Sequence, residues 1–207
     1  MRLSLIIAAA AVGIACVSCG SKKKEQVDIK GMWSIEDNDI NGGYIFGEDG
    51  LADVYIYPPE AYLNDNGLSF GGNYIPEKDI EFDGDILSMK HQDEDYLTAD
   101  RIGGPDKESY DGEYELVSGT LRDAILGTLG VSDSENSDIR LSIEDERIRV
   151  TLREAVEYSF DGERLELKGR NGMPDSSGDA ELSGDKITVE RSDGGSRVLK
   201  RVAEEQK

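Results

Sequence analysis

The stretch RIRVTLRE, residues 147–154, sets Ile148, Val150 and Leu152 on one side of an extended chain and Arg147, Arg149 and Arg153 on the other. A period of two fits a half-buried β-strand and not a helix, whose apolar residues recur every three or four positions. The same alternation runs through LADVYIYP, where Ala52, Val54 and Ile56 oppose Asp53, Tyr55 and Tyr57. It runs through DIRLSIED, where Ile139, Leu141 and Ile143 oppose Arg140, Ser142 and Glu144. The tight EDE between the 139–144 and 147–152 runs reads as a hairpin. VEYSFDGERLELKG and DIEFDGDILSMK are further hairpins, each with a two-residue turn, Asp161-Gly162 and Asp83-Gly84, a pair suited to left-handed backbone angles. AELSGDKITVERSDGGSRVLKRV supplies three more short strands, turning at Gly184-Asp185 and Asp193-Gly194-Gly195. The chain is therefore expected to be all-β, an antiparallel meander or barrel.

One helix breaks the pattern near 120–129. Leu121, Ala124, Ile125 and Leu129 fall near one face, Thr120 caps it and Gly130 ends it. A shorter helical turn is expected at PPEAYL, residues 58–63. The chain also repeats itself. Gly31-Met32-Trp33 opens one half and Gly112-Glu113-Tyr114 the other, and the turns Phe82-Asp83-Gly84 and Phe160-Asp161-Gly162 follow at nearly the same offset. Two tandem related units follow, 27–103 and 110–203, joined by GGPDKESYDG; a single irregular β domain is the other reading.

The N-terminus is a signal rather than part of the fold. Arg2 precedes an apolar run from Leu3 to Val17, too short for a membrane span of about 20 residues but right for a secretory h-region. It ends in CVSCGS, which resembles the lipobox of bacterial lipoproteins. The resemblance implies that residues 1–18 are removed and that Cys19 is acylated; Cys16 after Ala15 is the alternative attachment point. Both cysteines of the chain lie here, so the mature body has no disulfide framework and depends on an ordinary core. Residues 19–26 then form a charged tether. Gly20 after the anchor, where Asp would favour the inner membrane in the enterobacterial sorting rule, points to the outer membrane of the cell envelope. The formal net charge of −21 disfavours nucleic acid and anionic lipid surfaces as partners.

The opening GMWSI with its G-x-W, then YIFGEDGLADVYI, GEYELVSG, YSFDGERLEL, LSGDKITVER and the closing RVLKRV together resemble the small lipocalin-like domains of bacterial lipoproteins. The second half departs from G-x-W by carrying Tyr114. The resemblance implies a lipocalin-like barrel in each unit, with Trp33 plugging one end, and a small apolar or amphipathic ligand. Where the barrels are filled it implies instead a structural or protein-interaction lipoprotein of the envelope.

No catalytic constellation stands out. His91 is the only histidine, and no Ser–His–Asp set, phosphate loop or zinc cluster can be built, so the chain is read as non-catalytic and without a cofactor. One motif is sharp. DNDINGGYIFGE spells the D-x-[DN]-x-[DN]-G-x5-E calcium loop with Asp37, Asp39, Asn41 and Glu48 as candidate Ca2+ ligands. The flanks read as strands rather than the helices that such a loop needs, and Asn41-Gly42-Gly43 is ordinary turn chemistry. The expectation is a strand–loop–strand that binds calcium weakly or not at all.

Overall fold

The computed structural model describes residues 27–36, 41–132, 136–190 and 194–203. The strands are β1 (Gly31–Ile35), β2 (Gly42–Phe46), β3 (Leu51–Ile56), β4 (Tyr62–Asn64), β5 (Gly67–Phe70), β6 (Asn73–Pro76), β7 (Ile80–Phe82), β8 (Ile86–His91), β9 (Glu94–Gly103), β10 (Gly112–Ser118), β11 (Ile139–Glu144), β12 (Arg147–Phe160), β13 (Arg164–Gly169), β14 (Ser176–Ser183), β15 (Lys186–Glu190) and β16 (Ser196–Arg201). One helix, α1 (Thr120–Leu129), and one 3-10 turn (Glu77–Asp79) complete the described elements. The expected all-β antiparallel fold with a single short helix near 120–129 is the observed one.

Eight strands close into a barrel in the order β1-β2-β3-β12-β13-β14-β15-β16, with β16 returning to β1. The remaining strands curl into a second barrel, β10-β11-β12-β4-β5-β6 in one direction and β10-β9-β8-β7 in the other. Its ladder is interrupted between β6 and β7, where the 3-10 turn sits and Glu77 N donates to Asn66 O at 3.2 Å.

The 14-residue β12 belongs to both barrels. Its first half, Arg147–Leu152, pairs with β11; its second, Val156–Phe160, pairs with β13. Between them the ladder to β3 carries a bulge from Leu152 to Val156, and Glu154 takes a φ of 46°. Asp53, 8% exposed on β3, holds that bulge: its Oδ1 accepts the Glu154 amide at 2.8 Å and its Oδ2 lies 3.2 Å from Arg153 Nη1. A bulge strengthens local twist, which lets one strand turn from one cylinder into the next.

Strand pairing cuts across the spans 27–103 and 110–203. The first barrel takes β1–β3 from one and β12–β16 from the other; the second takes β4–β9 and β10–β12. The exchange happens at PPEAYL. The expected helical turn is absent there: Pro58 and Pro59 lead through a turn into β4, away from the first barrel. Glu60 takes a φ of 57°, outside the right-handed helical region, so the turn does not continue as a helix, and the fixed φ and missing N–H of two prolines suit no tight hairpin from β3 back to its own barrel. Alternation fixes the faces of a strand but not its partner.

The duplication is visible atom by atom. Trp33 Nε1 donates to Ile29 O, four residues back, at 2.7 Å; Tyr114 OH donates to Tyr110 O, four residues back, at 2.8 Å. Arg201 stacks over the Trp33 ring at 4.5 Å and donates to Lys30 O; Arg101 lies 5.7 Å over the Tyr114 ring and donates to Asp111 O. The Arg201 amide donates to Asp185 O and the Arg101 amide to Asp85 O. These contacts equate β1 with β10, β15 with β8 and β16 with β9. They also correct the repeat inferred from the FDG turns. Phe82-Asp83-Gly84 leads from β7 to β8, whereas Phe160-Asp161-Gly162 leads from β12 to β13, so the two are different turns of the barrel. Both share local chemistry: Asp83 Oδ1 accepts the amides of Asp85 and Ile86, and Asp161 Oδ1 those of Glu163 and Arg164. That makes each connection three residues long rather than two.

Gly42 and Gly43 are likewise not turn residues but the start of β2. A Cβ at position 43 would lie 1.9 Å from Trp33 O, so the backbone of β1 passes where any side chain would stand. Gly43 pairs with Tyr55, whose hydroxyl reaches across to donate to the same Trp33 carbonyl at 3.3 Å.

Candidate functional site

Each barrel has two ends, and three of the four are closed. In the first barrel Val27 N donates to Phe160 O at 2.8 Å, laying residues 27–30 across one end. Ile29 and Trp33, both fully buried, pack there with Phe46 and Phe160. In the second barrel the equivalent end is shut by Tyr114, Tyr110 and Phe82, with Phe82 and Tyr110 rings 5.3 Å apart. Its other end is plugged by α1, which follows β10 and buries Leu121, Ile125 and Leu126 in the same core as Leu97, Leu116 and Leu141.

The helix differs in detail from the expectation. Leu126 is buried and Ala124 exposed, so the inner face is rotated. Thr120 lies inside the helix, Gly119 precedes it at a φ of 112° without a side-chain cap, and Gly130 ends it in the left-handed region at 72°.

At the fourth end, the mouth of the first barrel, no described residue fills the opening. The chain leaves β1 at Ile35 and re-enters at Gly42, a far shorter excursion than the 119–138 segment that carries α1. A cavity of about 440 Å³ lies there, lined by Tyr44, Leu165, Leu167, Asp175, Ser176, Ser177, Val189, Arg197 and Leu199. Leu165, Leu167, Val189 and Leu199 form the apolar floor. The volume falls in the range of small-molecule sites.

The two barrels can be compared position by position because their registers match. Trp33 pairs with Tyr44, and Tyr114 with Leu141; Val189 pairs with Arg197, and Met89 with Leu97. Thus Tyr44 and Arg197 in the open barrel stand where the plugged barrel has Leu141 and Leu97, both about 2% exposed. Arg197 lies beside Tyr44; burial pushes the Tyr44 hydroxyl above its ordinary pKa, with Arg197 opposing the rise. The Nε of Arg197 is buried with no hydrogen-bond partner among the described residues, as are those of Arg122, Arg149 and Arg153 outside the cavity. The other polar groups of the lining are partly engaged: Asp175 Oδ1 accepts the Gly169 amide at 2.9 Å, and Ser177 Oγ accepts from Arg164 Nη2 at 3.1 Å.

A larger cleft, about 790 Å³, lies by the closed end of the second barrel. It is lined by Asp65, Glu77, Glu108, Asp111, Asp145 and Glu146 with one cation, Lys78, and solvated carboxylates are the ordinary surface of so acidic a chain.

Of the residues singled out from the sequence, none that the structure describes lines the cavity of the first barrel. Cys16, Cys19 and the whole of 1–26 lie outside the described residues, as do Asp37 and Asp39. Asn41 and Glu48 flank opposite ends of β2, whose five residues span about 17 Å, too far for two ligands of one ion. Asn41 O accepts the Tyr57 amide, and Glu48 Oε1 lies 3.4 Å from Lys30 Nζ. Among the described residues no three His, Cys, Asp or Glu side chains gather as a metal site. His91 stands on the β8–β9 hairpin with its ring 5.9 Å from that of Tyr96. Tyr44 and Arg197 were missed. Their signal is a tyrosine and an arginine at inward positions of strands, and it emerges only once the repeats are aligned on Arg101 and Arg201.

No protein-family model matches the chain, and no curated protein or solved structure matches it either.

Proposed function

We propose that the protein is a non-catalytic binding module of the bacterial cell envelope, anchored through Cys19, that holds one small apolar or amphipathic ligand in the mouth of the first barrel. The observation that carries this reading is the contrast between the barrels. One mouth is filled by α1, while the other keeps a cavity of about 440 Å³ over an apolar floor. A chain that needed only stability would gain by filling both, since empty apolar volume costs packing energy. Extraction of the protein purified from its own envelope should release about one amphiphile per chain, read by mass spectrometry. Protein that carries no small molecule and binds none from an envelope lipid extract would rule the reading out.

The filled second barrel favours a supporting role for that half, as a rigid body that presents the first barrel or meets another envelope protein. Anchoring rests on the CVSC stretch. Cys19→Ala is expected to move the protein from the membrane to the soluble fraction, or to leave it as an uncleaved precursor. Acyl chains persisting on a membrane-bound Cys19→Ala protein would shift the attachment to Cys16.

A further inference from the structure

We infer that the ligand of the first barrel carries a single negative charge of carboxylate type, held by Arg197 and Tyr44 while its apolar chain fills the floor beneath; this rests on the reading of the first barrel as the binding site. The argument starts from the internal control. The duplicated positions that build each barrel keep their chemistry: Arg201 and Arg101 both stack on the closing aromatic ring and both donate to the backbone at its foot. Four residues earlier on the same strands the chemistry diverges, to Arg197 over the cavity and Leu97 under α1. Arg101, the structural arginine of the second barrel, spends its donors on Gly103 O, Ser109 O and Asp111 O. Arg197 leaves its Nε buried and unbonded among the described residues, as Arg122, Arg149 and Arg153 do, but of these four it alone lines the cavity, where a ligand can accept from it.

The geometry favours an anion over a neutral polar group. The guanidinium presents parallel N–H donors that match the two oxygens of a carboxylate, and Tyr44 adds a hydroxyl beside it. Among the described residues of the lining Arg197 is the one cation, and the one carboxylate, Asp175, is held on the Gly169 amide at 2.9 Å, so no second cation is there to meet a second negative charge on the ligand. The floor below, Leu165, Leu167, Val189 and Leu199, offers nothing polar to a ligand and suits an alkyl or ring body. In a chain with net charge −21, an inward-facing cation at a cavity mouth also gives an anionic ligand a local attraction that the outer surface does not.

Calorimetric titration with dodecanoate, dodecanol and dodecylamine, below their aggregation limits, tests this on the protein and on Arg197→Leu and Arg197→Gln. Arg197→Leu copies the residue of the second barrel and so preserves the fold; thermal melts check that it does. Dodecanoate is expected to bind about tenfold more tightly than dodecanol, and dodecylamine more weakly than both. Either substitution should erase the advantage of the carboxylate while dodecanol binds as before. Equal binding of dodecanoate and dodecanol, or a carboxylate preference that survives both substitutions, overturns the charge assignment and leaves the cavity reading standing. Failure of all three compounds to bind overturns the cavity reading itself, and the charge assignment with it.

Discussion

Residues 27–104 and 105–207, produced as separate chains, are expected to show no cooperative unfolding alone and to recover one transition when mixed. The cut falls in the link between β9 and β10, where the sequence repeats itself, yet it divides both cores. The first core loses Val156, Tyr158, Phe160, Leu165, Leu167, Ile187 and Leu199 from around Ile29, Trp33, Phe46 and Ala52. The second loses Tyr114, Leu116, Ile139, Leu141, Ile143, Ile148 and Val150 from around Leu63, Leu68, Ile75, Leu87 and Leu97. β1 is left without β16, and β3 without β12. A domain is stable by roughly 5–15 kcal/mol, and halving a core removes far more than that. Closure of the 27–104 fragment on itself requires β3 to turn directly into β4 through Pro58 and Pro59. Circular dichroism melts of each fragment and of the mixture decide the matter. Two monomeric fragments that each melt cooperatively would show that the strands close within each repeat, and the exchanged pairing would be wrong.

Trp33→Ala is expected to lower the stability of the whole chain by about 3–5 kcal/mol, read as a shift of the denaturant midpoint. The side chain is fully buried at the closed end of the first barrel, and its loss removes three things together. It opens a cavity, it leaves Ile29 O without the indole N–H at 2.7 Å, and it takes away the ring beneath Arg201 at 4.5 Å. Trp33→Phe keeps most of the ring and loses the hydrogen bond, so about 1 kcal/mol of the effect is expected to remain. A loss under 1 kcal/mol for the alanine variant would mean that the end of the barrel is closed by something other than this aromatic plug.

Most of the strands were legible because their faces differ. Ile139, Leu141 and Ile143 are buried while Arg140 and Ser142 are half-exposed, as alternation demands. The unity of β12 was not legible. Its buried set runs Ile148, Val150, Leu152, then Ala155, Val156, Tyr158 and Phe160, so the phase slips in the middle and reads as two strands. The slip is the bulge held by Asp53, a contact 101 residues away in sequence. The FDG turns misled because an aspartate that caps its own turn does so at any hairpin. The calcium pattern was spelled by residues that β2 sets at its two ends, although Asp37 and Asp39 lie outside the described residues. The cavity was invisible for a different reason: period two shows that a strand has two faces, and the inward residues that mark the open barrel, Tyr44 and Arg197, stand out only against Leu141 and Leu97 once the repeats are aligned on Arg201 and Arg101.

The most direct test of the binding role is the stoichiometry of a neutral apolar probe, N-phenylnaphthylamine, measured by fluorescence titration on the protein and on Val189→Trp. Val189 is a half-buried residue of the cavity's apolar floor, so the indole enters the space that a ligand would use with little cost to the core. The expected result is one site per chain, lost or weakened at least tenfold in Val189→Trp, with the melting transition retained. Two sites per chain, or one site untouched by the substitution, would contradict a single ligand in the mouth of the first barrel.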